Sequence, residues 1–413
     1  MKEVRVGIIG AGMISHRHMT IYTHIPNAKV VAVSEIIPER LKAFGELYGI
    51  PEKDRYQDFR EMLKRDDLDT IDVCVHNNLH APVSIAAMKA GFDVYCEKPI
   101  AATSADAQMM IDCAKKLGRK FHVQISSLMN VQTRVARDMI AKGDLGKLYF
   151  ANLTMLSSRR RPGYDLPQFT TDFYTKEVAG HGPTIDLGVY LISQLLFVMG
   201  MPELQSVSGF ATRGLEYNPA LITDPKGFGV EDFGVCLAKF KDGLTMQIQA
   251  SSAANINDQM KTYILGSKGG LEIIGADTTG GPFARAANAD AAALSMGIPS
   301  LKFYGNAMGG EVFGVDLNVW NRGREEARIH PEISLYDDNQ VHWIAYKTGI
   351  LNDETRYNTP EIAKNMLLVT DGLFLSSELG REVTVDEIKA MTKPMALTEQ
   401  ETPFGTIHYD LSF

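Results

Sequence analysis

The chain has 413 residues, 45% apolar and 22% charged, an ordinary globular composition with more length than one compact core accommodates, so two domains are expected. Its net charge of −8 argues against nucleic acid and anionic membrane as partners. No apolar run approaches the roughly 20 residues of a bilayer-spanning helix, and Met1–Gly7 lacks a signal-type core. The four cysteines, Cys74, Cys96, Cys113 and Cys236, form no Cys-x-x-Cys pair, the usage of a reduced, cytoplasmic protein without a zinc site.

The first part of the chain alternates strand and helix. Val4–Ile9 reads as a buried parallel strand stopped by Gly10, followed by a helix over Met13–His24. Strands are expected over Lys29–Ser34, Thr70–Val75, Asp93–Cys96 and Lys120–Gln124. Between them lie helices at Pro38–Tyr48, Ala81–Ala90 and Ser104–Leu117, the last two stopped by Gly91 and Gly118. This rhythm predicts a doubly wound parallel sheet. From about Leu148 it gives way to alternating strands: Phe150–Met155, a hairpin turning at Asp242-Gly243, and a second hairpin over Tyr263–Ile273. These predict a mainly antiparallel sheet in an α+β second half. Phe283–Leu301 reads as a loop or short helix, and a last helix is expected over Pro360–Leu379 with Gly380 as its stop.

Gly10-Ala11-Gly12-Met13-Ile14-Ser15 follows the first strand and opens the first helix, the place of a dinucleotide-binding turn. Gly10 permits the tight turn and Gly12 the approach of a diphosphate to the helix N-terminus, while Ser15 replaces the third glycine. Glu35 ends the second strand about 20 residues on, where a carboxylate accepts hydrogen bonds from a ribose and repels a 2′-phosphate. With Ile36-Ile37-Pro38 following and no adjacent arginine, NAD is favoured over NADP.

Ligands of open parallel sheets bind beyond the strands' carboxyl ends. Two polar clusters fall there, His76-Asn77-Asn78-Leu79-His80 and Glu97-Lys98-Pro99. With the glycine turn and Asp186-Leu187-Gly188-Val189-Tyr190, their order and spacing resemble the Gfo/Idh/MocA oxidoreductase family over nearly the whole chain. The resemblance implies an NAD(P)-binding Rossmann domain over residues 1–123. It is followed by an α+β domain over 124–413, with a large open sheet, for substrate binding and oligomerisation. It also implies that Gly10, Gly12, Met13, Ile14, Glu35, Asn77, His80, Glu97 and Lys98 bind the dinucleotide.

The same resemblance makes Lys98 the cation beside nicotinamide and reacting hydroxyl. Tyr190 becomes the acid–base group, standing where most relatives have histidine, and Asp186 binds a substrate hydroxyl or orients Tyr190. A tyrosine titrates near pH 10, so the role requires a neighbour such as Lys98 to stabilise its phenolate. From the residues alone, Tyr190 reads as a core aromatic on a helix spanning Leu187–Met199, and His80 as a satisfied structural histidine. Arg160, in Arg159-Arg160-Arg161, offers a pair for an anionic substrate group or is merely part of a solvated loop; His181 is a further candidate.

The reaction implied is hydride transfer between nicotinamide and a hydroxyl or keto carbon of a sugar, glycoside or cyclitol. The alternatives are glycoside cleavage through transient sugar oxidation and a non-catalytic dinucleotide sensor. No residue pattern calls for a metal. An open sheet with an apolar face would favour a homodimer or homotetramer.

Overall fold

The computed structural model describes residues 3–166, 169–222, 227–274, 300–306, 311–319 and 339–413. They form two compact units: one of Met1–Gln124, Asp338–Lys364 and Lys393–Phe413, the other of Ile125–Asp337 and Asn365–Thr392.

The first unit is built on a six-stranded sheet: β1 (Val4–Ile9), β2 (Ala28–Ser34), β3 (Arg55–Tyr56), β4 (Thr70–Val73), β5 (Asp93–Cys96) and β6 (Phe121–Val123). Their order is β3-β2-β1-β4-β5-β6, and every neighbouring pair runs parallel. Order reverses between β1 and β4, which places a topological switch point at their carboxyl ends. The apolar strands fit burial on both faces: β4 is buried throughout and β1 nearly so.

Local chemistry sets the helix bounds. The Ser104–Leu117 helix starts where the Thr103 hydroxyl accepts the Asp106 N–H and stops at Gly118, which adopts φ +61°. The helix expected over Ala81–Ala90 begins earlier and spans Asn77–Lys89 with Pro82 inside. Pro82 has no N–H for the carbonyl four residues back, and that carbonyl, Asn78 O, instead accepts the Leu397 N–H at 3.1 Å.

The division at 123/124 that the family resemblance implies gives everything beyond it to the second domain. The compact units divide it otherwise, because two later segments complete the core of the first. Trp343, on the Asn339–Lys347 helix, is fully buried and lies 6.2 Å from Tyr95 and 6.0 Å from His122 between ring centroids. Lys120 sits 4.4 Å over the Tyr346 ring and donates to its carbonyl at 2.7 Å, while Lys347 pairs with Asp93. Further along, the Asp106 carboxylate accepts the Met395 and Ala396 N–H groups at 2.9 and 3.2 Å.

The second unit carries a nine-stranded sheet: β7 (Leu148–Leu156), β8 (Leu204–Thr212), β9 (Phe233–Phe240), β10 (Thr245–Ser251), β11 (Gln259–Gly266), β12 (Gly269–Ile274), β13 (Ser300–Asn306), β14 (Val312–Asn318) and β15 (Val383–Thr384). The order is β14-β13-β12-β11-β7-β10-β9-β8-β15. Both expected hairpins form, and all pairings are antiparallel except β7–β10. Most of Phe283–Leu301 lies outside the described residues.

One sheet face is apolar, with Val207, Cys236, Ala238, Met246, Ile248, Ala151, Leu153 and Ile264 buried. Gly209 lets a helix approach there, since a Cβ would stand 3.0 Å from Leu373 Cα. The opposite face is mixed rather than uniformly apolar. Phe210 and Leu237, 55% and 42% exposed, stand on it with Gln247, Gln249, Lys261 and Glu272, as the strand registers require.

Trp343→Ala should destabilise the first unit by about 3–5 kcal/mol, read as a fall in the urea midpoint of unfolding.

Candidate functional site

The site begins at the carboxyl end of β1. Gly10 has φ +99°, and a Cβ there would collide with the Cys74 carbonyl, so only glycine fits. A Cβ on Gly12 would meet nothing within 4 Å. The Met13–Tyr22 helix that follows has no side-chain cap and no acid in its first turn, leaving amide N–H groups available to an anion. Ser15 completes the turn without a third glycine: its buried hydroxyl donates to Gly12 O at 2.6 Å.

Glu35, at the end of β2, is buried and backs this turn. One carboxylate oxygen accepts the Ala11 N–H at 2.9 Å, the other the Ile37 N–H at 3.0 Å. Each oxygen keeps a second acceptor site. The turn, the uncapped helix and the carboxylate together fit a dinucleotide with its diphosphate at Gly12 and a ribose at Glu35. Met13 is exposed and Ile14 half-buried at the same helix start.

Beyond β4, His76 precedes the helix that Asn77 begins. His80 is buried, its Nδ1 2.6 Å from Pro99 O and its Nε2 3.1 Å from Val75 O. Burial lowers its pKa, and a neutral ring donates through only one of these nitrogens. His80 therefore sits between the β4 end and the turn after β5, donating to one of the two carbonyls. There Lys98 is half-buried, and its N–H donates to Glu97 Oε2 at 2.8 Å.

Glu97 leads to a buried cluster that sequence reasoning missed. His18, on the helix opened by the glycine turn, faces Asp72 Oδ2 through Nδ1 and Glu97 Oε1 through Nε2, both at 2.8 Å. Neither His18 nor Asp72 has exposed side-chain surface. Burial alone would lower the imidazole's pKa, but Asp72 and Cys74 outweigh it and hold it well above the usual value. Burial would raise the Glu97 carboxyl, and the His18 hydrogen bond brings it below the usual value. With a carboxylate oxygen facing each ring nitrogen, the geometry suits an imidazolium, which donates from both. His18, Asp72 and Cys74 also bring three metal-capable atoms within 4.8 Å, though hydrogen bonds among them already engage each. The available signal was Asp72 itself, an acid in the middle of an apolar parallel strand, which burial forces to find a partner.

In the second unit, Asp186 and Tyr190 lie on two helical pieces rather than one. Pro183–Asp186 ends at Leu187, and the chain restarts as Gly188–Val198. Both residues are half-buried. Leu191, Leu195 and Val198 bury the second helix as expected, while the Ser127 hydroxyl holds Tyr190 O at 2.5 Å. Glu231, also unforeseen, supplies the cap of the first piece. Its carboxylate accepts the Gly182 N–H at 2.8 Å, the Thr184 N–H at 3.2 Å and the Thr184 hydroxyl. Burial raises its pKa.

The arginine stretch is engaged internally. Arg160 pairs with Asp258 at 2.6 Å, both side chains well exposed, and Arg159 reaches Asn255. Arg161 is buried against Asp165 at 2.8 Å and over the Tyr164 ring at 4.3 Å. His181 stacks on Phe374 with centroids 3.6 Å apart, and burial depresses its pKa to about 3.

Comparison with known proteins agrees with this architecture. Residues 4–125 match the oxidoreductase family with an NAD-binding Rossmann fold, and residues 133–272 match the GFO/IDH/MocA C-terminal domain. The chain is 30% identical over 277 residues to the D-glucoside 3-dehydrogenase of Escherichia coli K12, spanning 65% of this chain and 77% of that protein. It is 26% identical over 267 residues to the myo-inositol 2-dehydrogenase of Thermotoga maritima, spanning 64% and 74%. The crystal structure of an NAD binding oxidoreductase from Klebsiella pneumoniae superposes with a TM-score of 0.72 at 22% identity, covering 93% of this chain and 99% of that one. The chain belongs to the Gfo/Idh/MocA family of NAD-binding oxidoreductases.

Proposed function

We propose that this oxidoreductase is an NAD-dependent dehydrogenase or reductase acting on a hydroxyl or keto carbon of a sugar, glycoside or cyclitol. One observation carries the reading. The adjacent strands β1, β4 and β5 end side by side in the glycine turn, Asn77 and Lys98, at the switch point where such sheets bind dinucleotides. The substrate class is supported by the glucoside and inositol dehydrogenases named above.

When bound, the nicotinamide supplies the hydride acceptor or donor. Gly10, Gly12, Met13 and Ile14 hold the diphosphate end, Glu35 a ribose, and Asn77, His80 and Glu97 shape the turns around them. Lys98 places a cation where negative charge develops on the substrate oxygen. Tyr190 takes the proton from the hydroxyl, or returns it to the ketone, and Asp186 accepts a hydrogen bond from a substrate hydroxyl. Arg160 stays a substrate contact only for an anionic group able to compete with Asp258.

The open face carrying Phe210 and Leu237 suits a homodimer or homotetramer. Four free cysteines suit the reducing cytoplasm. Among the described residues, no helix is long and apolar enough to cross a membrane.

A panel of sugars, glycosides and inositols with NAD and NADP, followed by absorbance of the reduced cofactor, tests the reading; no net reduction or oxidation with any of them would reject it. Glu35→Gln should narrow the preference for NAD over NADP about tenfold in kcat/KM, near 1.4 kcal/mol. Lys98→Ala should lower kcat by about 10²–10³-fold. Tyr190→Phe should lose about 10²–10⁴-fold in turnover, while a fluorescence titration still shows NADH binding.

A further inference from the structure

His18 has no part in the chemistry proposed above, yet it joins three elements around the proposed centre. The geometry points to His18 as a positioning residue that ties the glycine-turn helix to Glu97 and, through Glu97, fixes the backbone at Lys98. The inference rests on the role proposed above for Lys98.

The chain of contacts is continuous. The His18 helix starts at Gly12, Asp72 belongs to β4, and Glu97 follows β5. Asp72 Oδ2 and Glu97 Oε1 take the two ring nitrogens at 2.8 Å, and Glu97 Oε2 takes the Lys98 N–H at 2.8 Å. Cys74 Sγ lies 3.3 Å from Nδ1, and the Tyr95 ring meets the imidazole edge-on at 5.6 Å. Two carboxylates need two N–H donors pointing in opposite directions, and only an imidazolium carries both. A neutral ring would turn a lone pair toward one carboxylate. Removing the ring would leave two buried acids without their shared cation, a costly arrangement that Glu97 escapes by rotating or taking up a proton. Rotation withdraws the acceptor from the Lys98 N–H, and protonation weakens it. The glycine turn and the lysine turn are thereby held in register by one side chain.

The two substitutions at the ends of this link have different consequences. In His18→Gln, a single amide nitrogen cannot span both carboxylates. In Glu97→Gln, the amide N–H₂ can donate to a neutral His18 Nε2 while its oxygen still accepts the Lys98 N–H, so the link survives without the charge.

The test uses the full chain and two readouts. Steady-state kinetics on the substrate found by the panel give kcat and the KM for NAD. In protein without dinucleotide, acetylation of Lys98 by acetic anhydride is followed by peptide mass spectrometry from about pH 7 to 10, toward the ordinary lysine pKa. His18→Gln should lower kcat about 30–100-fold, keep the KM for NAD within about threefold and shift the Lys98 acetylation profile, as misplacement of a catalytic group does. Glu97→Gln should leave the Lys98 acetylation profile superimposable on the parent's, because the positioning contact is kept. A parental kcat in His18→Gln, or an acetylation profile of that variant superimposable on the parent's, overturns the inference. Should His18→Gln fail to fold, Glu97→Gln decides: a Lys98 acetylation profile displaced from the parent's overturns it. If the parent enzyme turns over nothing in the panel, the proposed function fails, and the acetylation profiles still judge the His18 link on its own.

Discussion

Burial of the six-stranded parallel sheet on both faces governs where chemistry can sit in this protein. Side chains inside such strands are committed to packing, so polar groups collect at the strand ends. Gly10, Asn77 and Lys98 all stand just past a strand. Asp72 breaks the rule, being fully buried within β4. Its charge needs a partner inside the protein, and His18 and Cys74 are drawn to it. A single acid in an apolar strand thus dictates what the first helix must carry and which way that helix faces.

The same demand for satisfied polar groups explains details that motif matching leaves open. Ser15 suits a turn that usually takes a third glycine because its hydroxyl finds Gly12 O. Pro82 is tolerated within a helix because Leu397 serves the carbonyl it cannot. Glu231 caps a helix whose own Gly182 offers no side chain for the purpose. In each case the compensating group is a hydrogen-bond partner rather than a change of path.

Much of the first unit was legible in the sequence, because its strands are short apolar runs punctuated by glycine and its order follows from the alternation with helices. Val4–Ile9, Asp93–Cys96 and Ser104–Leu117 lie where local pattern puts them. The two-residue strand β3 gave no pattern to find, as it is held by pairing with β2 alone. Long-range features were hidden for a related reason. The parallel β7–β10 pair, the outer face with its mixture of Phe210 and Gln247, and the break at Leu187 depend on neighbours far along the chain. Among candidate site residues, glycines and Lys98 announce themselves by their place after strands. His18 and Glu231 do not, since each acts through contacts between 47 and 79 residues away.

The three-segment construction of the first unit has a consequence for how the protein is made. Trp343 and Tyr346 cover Tyr95, His122 and Lys120, and the Lys120–Tyr346 contact closes a separation of 226 residues. Loop closure of that length must precede its reward. A ribosome releasing residues 1–124 therefore delivers a nucleotide fold with an aromatic wall still bare, and the second unit emerges before that wall can be covered. The nascent first half is the stage most exposed to aggregation, and its rescue depends on chain that arrives 226 residues later.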